Sequence, residues 1–189
     1  MKYMYTYDLH RLIKEELKNG SSDLVTRPSW QVVRNRIETD IAKEENGAVI
    51  ALDFSKIGII DYSCADEIVA KLVSRLLGGE YGNKYFILTG LNENQEENIE
   101  VALERKGLAV IAERKSGEKV LLGNLHNYLK ETLDLILKNG RLTAKELSQA
   151  MNLEANTSGT RLLNLHKKHL VKRIEEIREG GRVWVYESI

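Results

Sequence analysis

Val49-Ile50-Ala51-Leu52-Asp53-Phe54-Ser55-Lys56-Ile57-Gly58-Ile59-Ile60-Asp61-Tyr62-Ser63-Cys64-Ala65-Asp66-Glu67-Ile68 reads as a buried strand, a turn and the start of a helix. Val49 to Phe54 is a short, nearly continuous apolar run, the pattern of a strand covered on both faces. Ile59 and Ile60 are expected to return the chain to the core. Asp61 or Ser63 then caps a helix whose Ile68, Val69, Leu72, Val73 and Leu76 fall at helical spacing. The free backbone amides of such a helix start favour an anion, so Ser63 is placed either to bind a phosphate or to carry one. The plainer alternative is an ordinary cap.

Working outward, Asp8 to Asn19 sets Leu9, Leu12, Ile13 and Leu17 on one helical face, and Gly20-Ser21-Ser22-Asp23 ends that helix in a loop. Pro28 suits a first helical position, and the helix it opens should bury Trp30, Val33, Ile37 and Ile41. Asn46-Gly47 turns the chain into the strand quoted above. On the other side, glycine pairs bracket a turn before Lys84 to Thr89, a second buried strand. A helix from Glu93 to Lys106 stops at Gly107. Leu108 to Glu113 and Glu118 to Leu122 then form strands around the Lys115-Ser116-Gly117 hairpin. Strands alternating with amphipathic helices predict an α/β layer with parallel pairing at its centre.

From Asn124 the pattern changes. Leu125, Leu129, Leu133 and Ile136 mark a helix ending at Asn139-Gly140, and Thr143-Ala144-Lys145-Glu146 has the spacing of a capping box for the next one, Thr143 to Met151. Ser158 to His169 is expected as a third helix with Leu162 and Leu165 inward. Leu170 to Ile177 and Arg182 to Glu187 are β-rich runs around Glu179-Gly180-Gly181. Three helices and a β-hairpin, in that order, predict a winged helix-turn-helix. The expected organisation is an N-terminal helix at 1–20, an α/β domain at 21–123 and a winged helix-turn-helix domain at 124–189.

Across 189 residues, 28 basic side chains balance 28 acidic ones, so the whole chain has no net charge to attract a polyanion. The distribution is uneven. Residues 1–124 hold 17 basic and 20 acidic side chains, and residues 125–189 hold 11 and 8. The tail is therefore mildly basic. A single cysteine, Cys64, excludes an intramolecular disulfide and a cysteine-rich zinc site. No run approaches membrane-spanning length, and Met1 to Tyr7 lacks the apolar core of a signal peptide. The expected location is the cytoplasm, with no membrane partner.

Leu24-Val25-Thr26-Arg27-Pro28, the strand Leu52-Asp53-Phe54-Ser55, and Ser63-Cys64-Ala65-Asp66-Glu67, taken together, resemble the STAS-like family, relatives of the anti-sigma-factor antagonists. The resemblance covers roughly residues 20–122. It implies a mixed sheet with helices that exchanges protein partners, often a histidine-kinase-like ATPase, under control of phosphorylation. In phosphorylated members the acceptor serine follows a strand-end Asp by two positions, as Ser63 follows Asp61. The small glycines that follow it there are replaced here by Cys64 and Asp66. Asp61, Asp66 and Glu67 would repel an added phosphate, so these three residues and Ser63 are expected to form a regulatory surface that meets a partner.

Leu142-Thr143-Ala144-Lys145-Glu146-Leu147, Thr160-Arg161-Leu162-Leu163-Asn164-Leu165, Leu170-Val171-Lys172-Arg173 and the Gly-Gly wing resemble bacterial winged-helix transcription regulators over residues 130–189. His169 stands where a glycine is usual, although His tolerates a left-handed backbone better than most residues. A third helix of this kind enters the major groove by its N-terminal end, so Asn156, Thr157, Ser158, Thr160, Arg161 and Asn164 are the expected base readers. Arg161 suits guanine and Asn164 adenine. Lys145, Lys167, Lys168, Lys172 and Arg173 suit phosphates, and Arg178 and Arg182 suit a phosphate or the minor groove at the wing. Glu175, Glu176 and Glu179 work against them.

Catalysis finds little support. His10, His126, His166 and His169 lack zinc-ligand spacing, and no nucleophile elbow, Walker loop or dinucleotide fingerprint occurs. The expected protein is not an enzyme and carries no cofactor. It is a transcriptional regulator in which the STAS-like module controls a winged helix that binds double-stranded DNA, as a homodimer if it reads paired half-sites. The alternative is a partner-switching regulator that never touches DNA.

Overall fold

A computed structural model describes residues 4–17 and 26–189, and the chain divides into two compact units, Met1–Asn124 and Leu125–Ile189. The loop Gly20–Asp23, the end of the first predicted helix at Lys18-Asn19, and Leu24-Val25 of the STAS-like stretch lie outside the described residues. Among those residues, no helix is long and apolar enough to cross a membrane.

The first unit is mixed α/β. Its elements run β1 Met4–Asp8, α1 Leu9–Leu17, α2 Arg27–Ile41, β2 Val49–Asp53, α3 Tyr62–Ala65, a π-helical turn Asp66–Ala70, α4 Lys71–Leu77, β3 Tyr85–Thr89, α5 Glu93–Glu104, β4 Ala109–Glu113 and β5 Lys119–Gly123. The sheet order is β1-β2-β3-β4-β5. The first four strands are parallel, and β5 returns antiparallel along β4 through the predicted hairpin. Because the parallel strands follow one another in chain order, right-handed crossovers send their helices to one face. On that face Ile50, Leu52, Phe54, Phe86, Leu88 and Val110 share a single core with Leu9, Trp30, Ile37, Ile68, Leu72 and Ile99. Val49 to Leu52 are all buried, as the apolar run requires.

Two features depart from the sequence reading. Within the span expected as an N-terminal helix at 1–20, the first five described residues form an edge strand, β1, with Met4 paired to Val49 and Asp8 to Asp53. Ile59 does not return to the core. It is 85% exposed while Ile60 is buried. The buried side chain of Gln95 explains the difference. Its Nε2 donates to the carbonyls of Ile57 at 2.8 Å and Gly58 at 2.6 Å, which pins the loop backbone with Ile59 outward. The same amide's Oε1 accepts from Asn92 N at 3.0 Å, closing the capping box of α5.

The second unit contains α6 Asn127–Asn139, β6 Arg141–Thr143, α7 Ala144–Met151, α8 Ala155–Lys167, β7 Val171–Arg178 and β8 Gly181–Ser188. Its three strands form an antiparallel sheet in the order β6-β8-β7. The capping box at Thr143 and Glu146 forms in both directions, at 3.2 and 2.7 Å. His169 does adopt the left-handed backbone, with φ +55°, between α8 and β7. Helix α8 begins at Ala155 instead of Ser158, because Asn152 turns the chain with φ +51° directly after α7. Leu129, Leu133, Ile136, Leu147, Leu162, Leu165 and Val185 are among the buried residues of this unit.

Candidate functional site

The earlier start of α8 changes which residues it presents. Ser158 is fully buried, its hydroxyl donating to the Glu154 carbonyl one turn back at 3.2 Å, so it cannot read a base. Asn156, Thr157 and Thr160 remain exposed and join Arg161, Asn164 and Tyr128 around a cleft of about 370 Å³. The α8 residues of this cleft recur at the spacing of one helical face, and none of the lining side chains is acidic. Arg161 is already engaged. Its guanidinium donates to the Tyr128 carbonyl at 3.2 Å and lies 5.3 Å from the centre of the Tyr128 ring, which itself stacks on His126. The guanidinium is thereby held at the cleft rather than swinging in solvent.

The other expected DNA contacts are scattered. Lys145 is exposed at the start of α7, on a different groove of about 430 Å³ that also holds Arg182. Lys168 follows the end of α8, and Lys172 pairs in register with Glu187 on β8. The arginines of the β7–β8 hairpin meet carboxylates: Arg178 contacts Glu176 at 3.0 Å and Glu146 at 3.5 Å, and Arg182 contacts Glu175 at 3.5 Å. These exposed pairs are weak and exchangeable, but they lower the free positive charge of the hairpin. Burial lowers the pKa of His166, with its Val171 bond opposing and Arg173 assisting, which favours the neutral ring.

In the first unit, the residues expected to meet a partner separate into two groups. Asp61 caps α3, its Oδ1 accepting the Cys64 amide at 2.8 Å, and this bond holds its carboxyl below the usual range. Asp61 is exposed and Ser63 half-buried in the first turn. Asp66 and Glu67, by contrast, are buried. They sit in the π-helical turn, where the Lys71 amide donates to the Asp66 carbonyl five residues back. Arg27 bonds both, at 3.1 Å each. Lys106 reaches Asp66 at 2.5 Å, Lys71 reaches Glu67 at 2.6 Å, and Arg34 reaches Glu67 at 3.1 Å. Arg34 continues to Glu38 at 2.9 Å, where Arg75 and Tyr81 also converge. Burial pushes the Glu67 carboxyl up, but bonds to Lys71, Arg27 and Arg34 outweigh it and hold the group below its ordinary value. These two acids therefore tie α2 to the helix after β2 and present no surface to a partner.

This also revises the electrostatics at Ser63. Two of the three carboxylates counted against a phosphate there are already neutralised by cations, and Asp61 alone remains open. Burial and then Asp61 push the Cys64 thiol up to about 11, which disfavours its thiolate. Among the described residues, no group of three or more His, Cys, Asp or Glu side chains is arranged to hold a metal ion.

Sequence reading missed the cationic half of the buried network. Arg27 and Arg34 stand two turns apart on α2, and Lys71 lies four residues after Glu67, spacings that indicate a shared face only once the partner helix is known. It also missed Tyr128 and Trp184. The alternation of Val183 and Val185 with Trp184 and Tyr186 in β8 was the available signal. No family model matches the chain, and no curated protein matches it.

Proposed function

We propose that the chain is a DNA-binding regulator, with a STAS-like first unit that receives a signal and a winged helix-turn-helix second unit that binds double-stranded DNA through α8. The observation that carries this reading is the α8 face of Asn156, Thr157, Thr160, Arg161 and Asn164, polar and basic without a carboxylate, opening on one cleft. The order α6, β6, α7, α8 and hairpin supports it, as does the net charge of the second unit, 11 basic against 8 acidic side chains. Arg161 reads guanine, Asn164 reads adenine, and Thr157 and Thr160 add edge or phosphate contacts. Lys145, Lys168 and Lys172 supply phosphate contacts that carry no sequence information. Two copies bound to paired half-sites complete the reading. The chain is assigned no catalysis and no cofactor, and its place is the cytoplasm.

The test is binding of the full chain to genomic DNA fragments across a salt series. Affinity should fall steeply with salt, and Arg161→Ala should weaken selected fragments more than random ones. A second reading, a partner switch without DNA contact, is favoured by the acid-paired wing arginines and by Ile59, held outward beside Asp61 and Ser63. Its partner would be a histidine-kinase-like ATPase. Absent DNA binding, with an ATPase recovered by pull-down and lost in Ile59→Asp, would establish it instead.

A further inference from the structure

The groove on the other side of α8 holds an exposed tryptophan that duplex reading does not use. Its wall on β8 carries Trp184, 45% exposed, with the Arg173 guanidinium stacked 3.7 Å above the indole and 5.9 Å from the Tyr186 ring. The Arg173 Nε is buried without a hydrogen-bond partner. Lys145 and Arg182 add two more cations, and none of the lining residues is acidic. Glu175, opposite Trp184 in register, reaches Arg182 at 3.5 Å, but both side chains of that pair stand open to solvent at 42% and 81%. Gly159 leaves the α8 wall bare, since a Cβ there would meet nothing within 4 Å.

We infer that this groove binds one nucleotide unit of an unpaired nucleic-acid strand, the base stacking on the exposed part of the Trp184 indole and the phosphate lying between Lys145 and Arg182. A base inside a duplex shows only its edges, so an indole can stack on it only after it leaves the helix, at a cost of a few kcal/mol. A strand already single meets no such cost. Aromatic faces with flanking cations are how single strands are held without regard to sequence. At about 430 Å³ the groove has the size of a small-ligand site, roughly 300–1,000 Å³, and admits a nucleotide but not a double helix. Lys145 is shared with the proposed duplex contacts, but Trp184, Gly159 and Arg182 are not, and the Asn156–Arg161 cleft takes no part, so variants at these positions separate the two readings.

The chain has two tryptophans, and the other, Trp30, is buried in the first unit. In the full-length Trp30→Phe protein, Trp184 emission should be quenched saturably by an oligothymidylate of about ten nucleotides. Gly159→Glu sets a carboxylate in the groove while improving helix propensity, and it should weaken that binding about tenfold or more. Arg161→Ala should leave it unchanged. If Trp30→Phe does not fold, anisotropy of a labelled oligothymidylate on the otherwise unaltered chain reads the same contact, with Trp184→Ala weakening it and Trp184→Phe keeping most of it. No quenching, or quenching indifferent to Gly159→Glu, overturns the inference, even if duplex binding persists. So does Trp184 emission that responds to protein concentration alone, which assigns the groove to a second copy of the chain. Oligothymidylate binding without duplex binding upholds the inference and removes the duplex reading.

Discussion

Gln95 makes three hydrogen bonds with one amide group, two as donor to the Ile57 and Gly58 carbonyls and one as acceptor from Asn92. Gln95→Glu keeps the shape and the acceptor but removes both donors, leaving two carbonyls facing a carboxylate. It should cost about 3 kcal/mol, read from the urea midpoint, because a buried group left unsatisfied loses its full desolvation cost. Glu67 poses the matching question for charge. Glu67→Gln removes one of the two carboxylates on Arg34, itself 4% exposed, and leaves Glu38 as its remaining counter-ion, so a loss of about 3 kcal/mol is expected by the same measurement. The wild-type pH profile carries the sign of this interaction. The folded Glu67 carboxyl titrates below its ordinary value of 4.5, so its stabilisation is complete above that pH and is lost as pH falls through the lower folded value. Glu67→Gln should therefore show a shallower acid loss than wild type. Equal slopes would assign the acid loss to other carboxylates.

At the scale of elements, Gly123 closes β5 with φ +93°, and a Cβ there would lie 2.3 Å from the Leu108 carbonyl and 2.8 Å from the Leu103 Cβ. Gly123→Ala combines a strained backbone with a backbone clash, and should destabilise the first unit by about 3 kcal/mol or more in chemical denaturation. Most elements were legible because their apolar periods are long: β2, β3, β4, α2 and α5 all form where the pattern places them, within a few residues. Strand β1 was not legible. Its burial alternates through only five residues, with Met4 and Thr6 exposed, and its partner lies far along the chain. Ser158 failed for a different reason. A polar side chain at a helix start reads as a reader or a cap, and only the left-handed turn at Asn152 shows that the helix begins earlier and turns this hydroxyl inward. Ile59 failed because the residue that holds its loop outward, Gln95, lies on α5, far along the chain.

For the whole molecule, the charge division is the property that matters. The first unit holds 17 basic and 20 acidic side chains and the second 11 and 8, so the two carry −3 and +3 within a neutral chain. On the proposed reading, a polyanion approaches the second unit and is repelled by the first. The proposed phosphate contacts, Lys145, Lys168 and Lys172, imply that log affinity against log salt should have a slope of about −3. A slope near zero in titrations of duplex fragments would reject that contact set. The neutral total hid this division, which appears only when the chain is cut at the boundary between its units. The placement of β1 has its own consequence. Chains are synthesised from the N-terminus, yet β1 has no seat until β2, beginning 45 positions later, has been made. During translation this Tyr-rich segment must leave the ribosome unpaired and wait, through the synthesis of α1 and α2, for the neighbour it docks on.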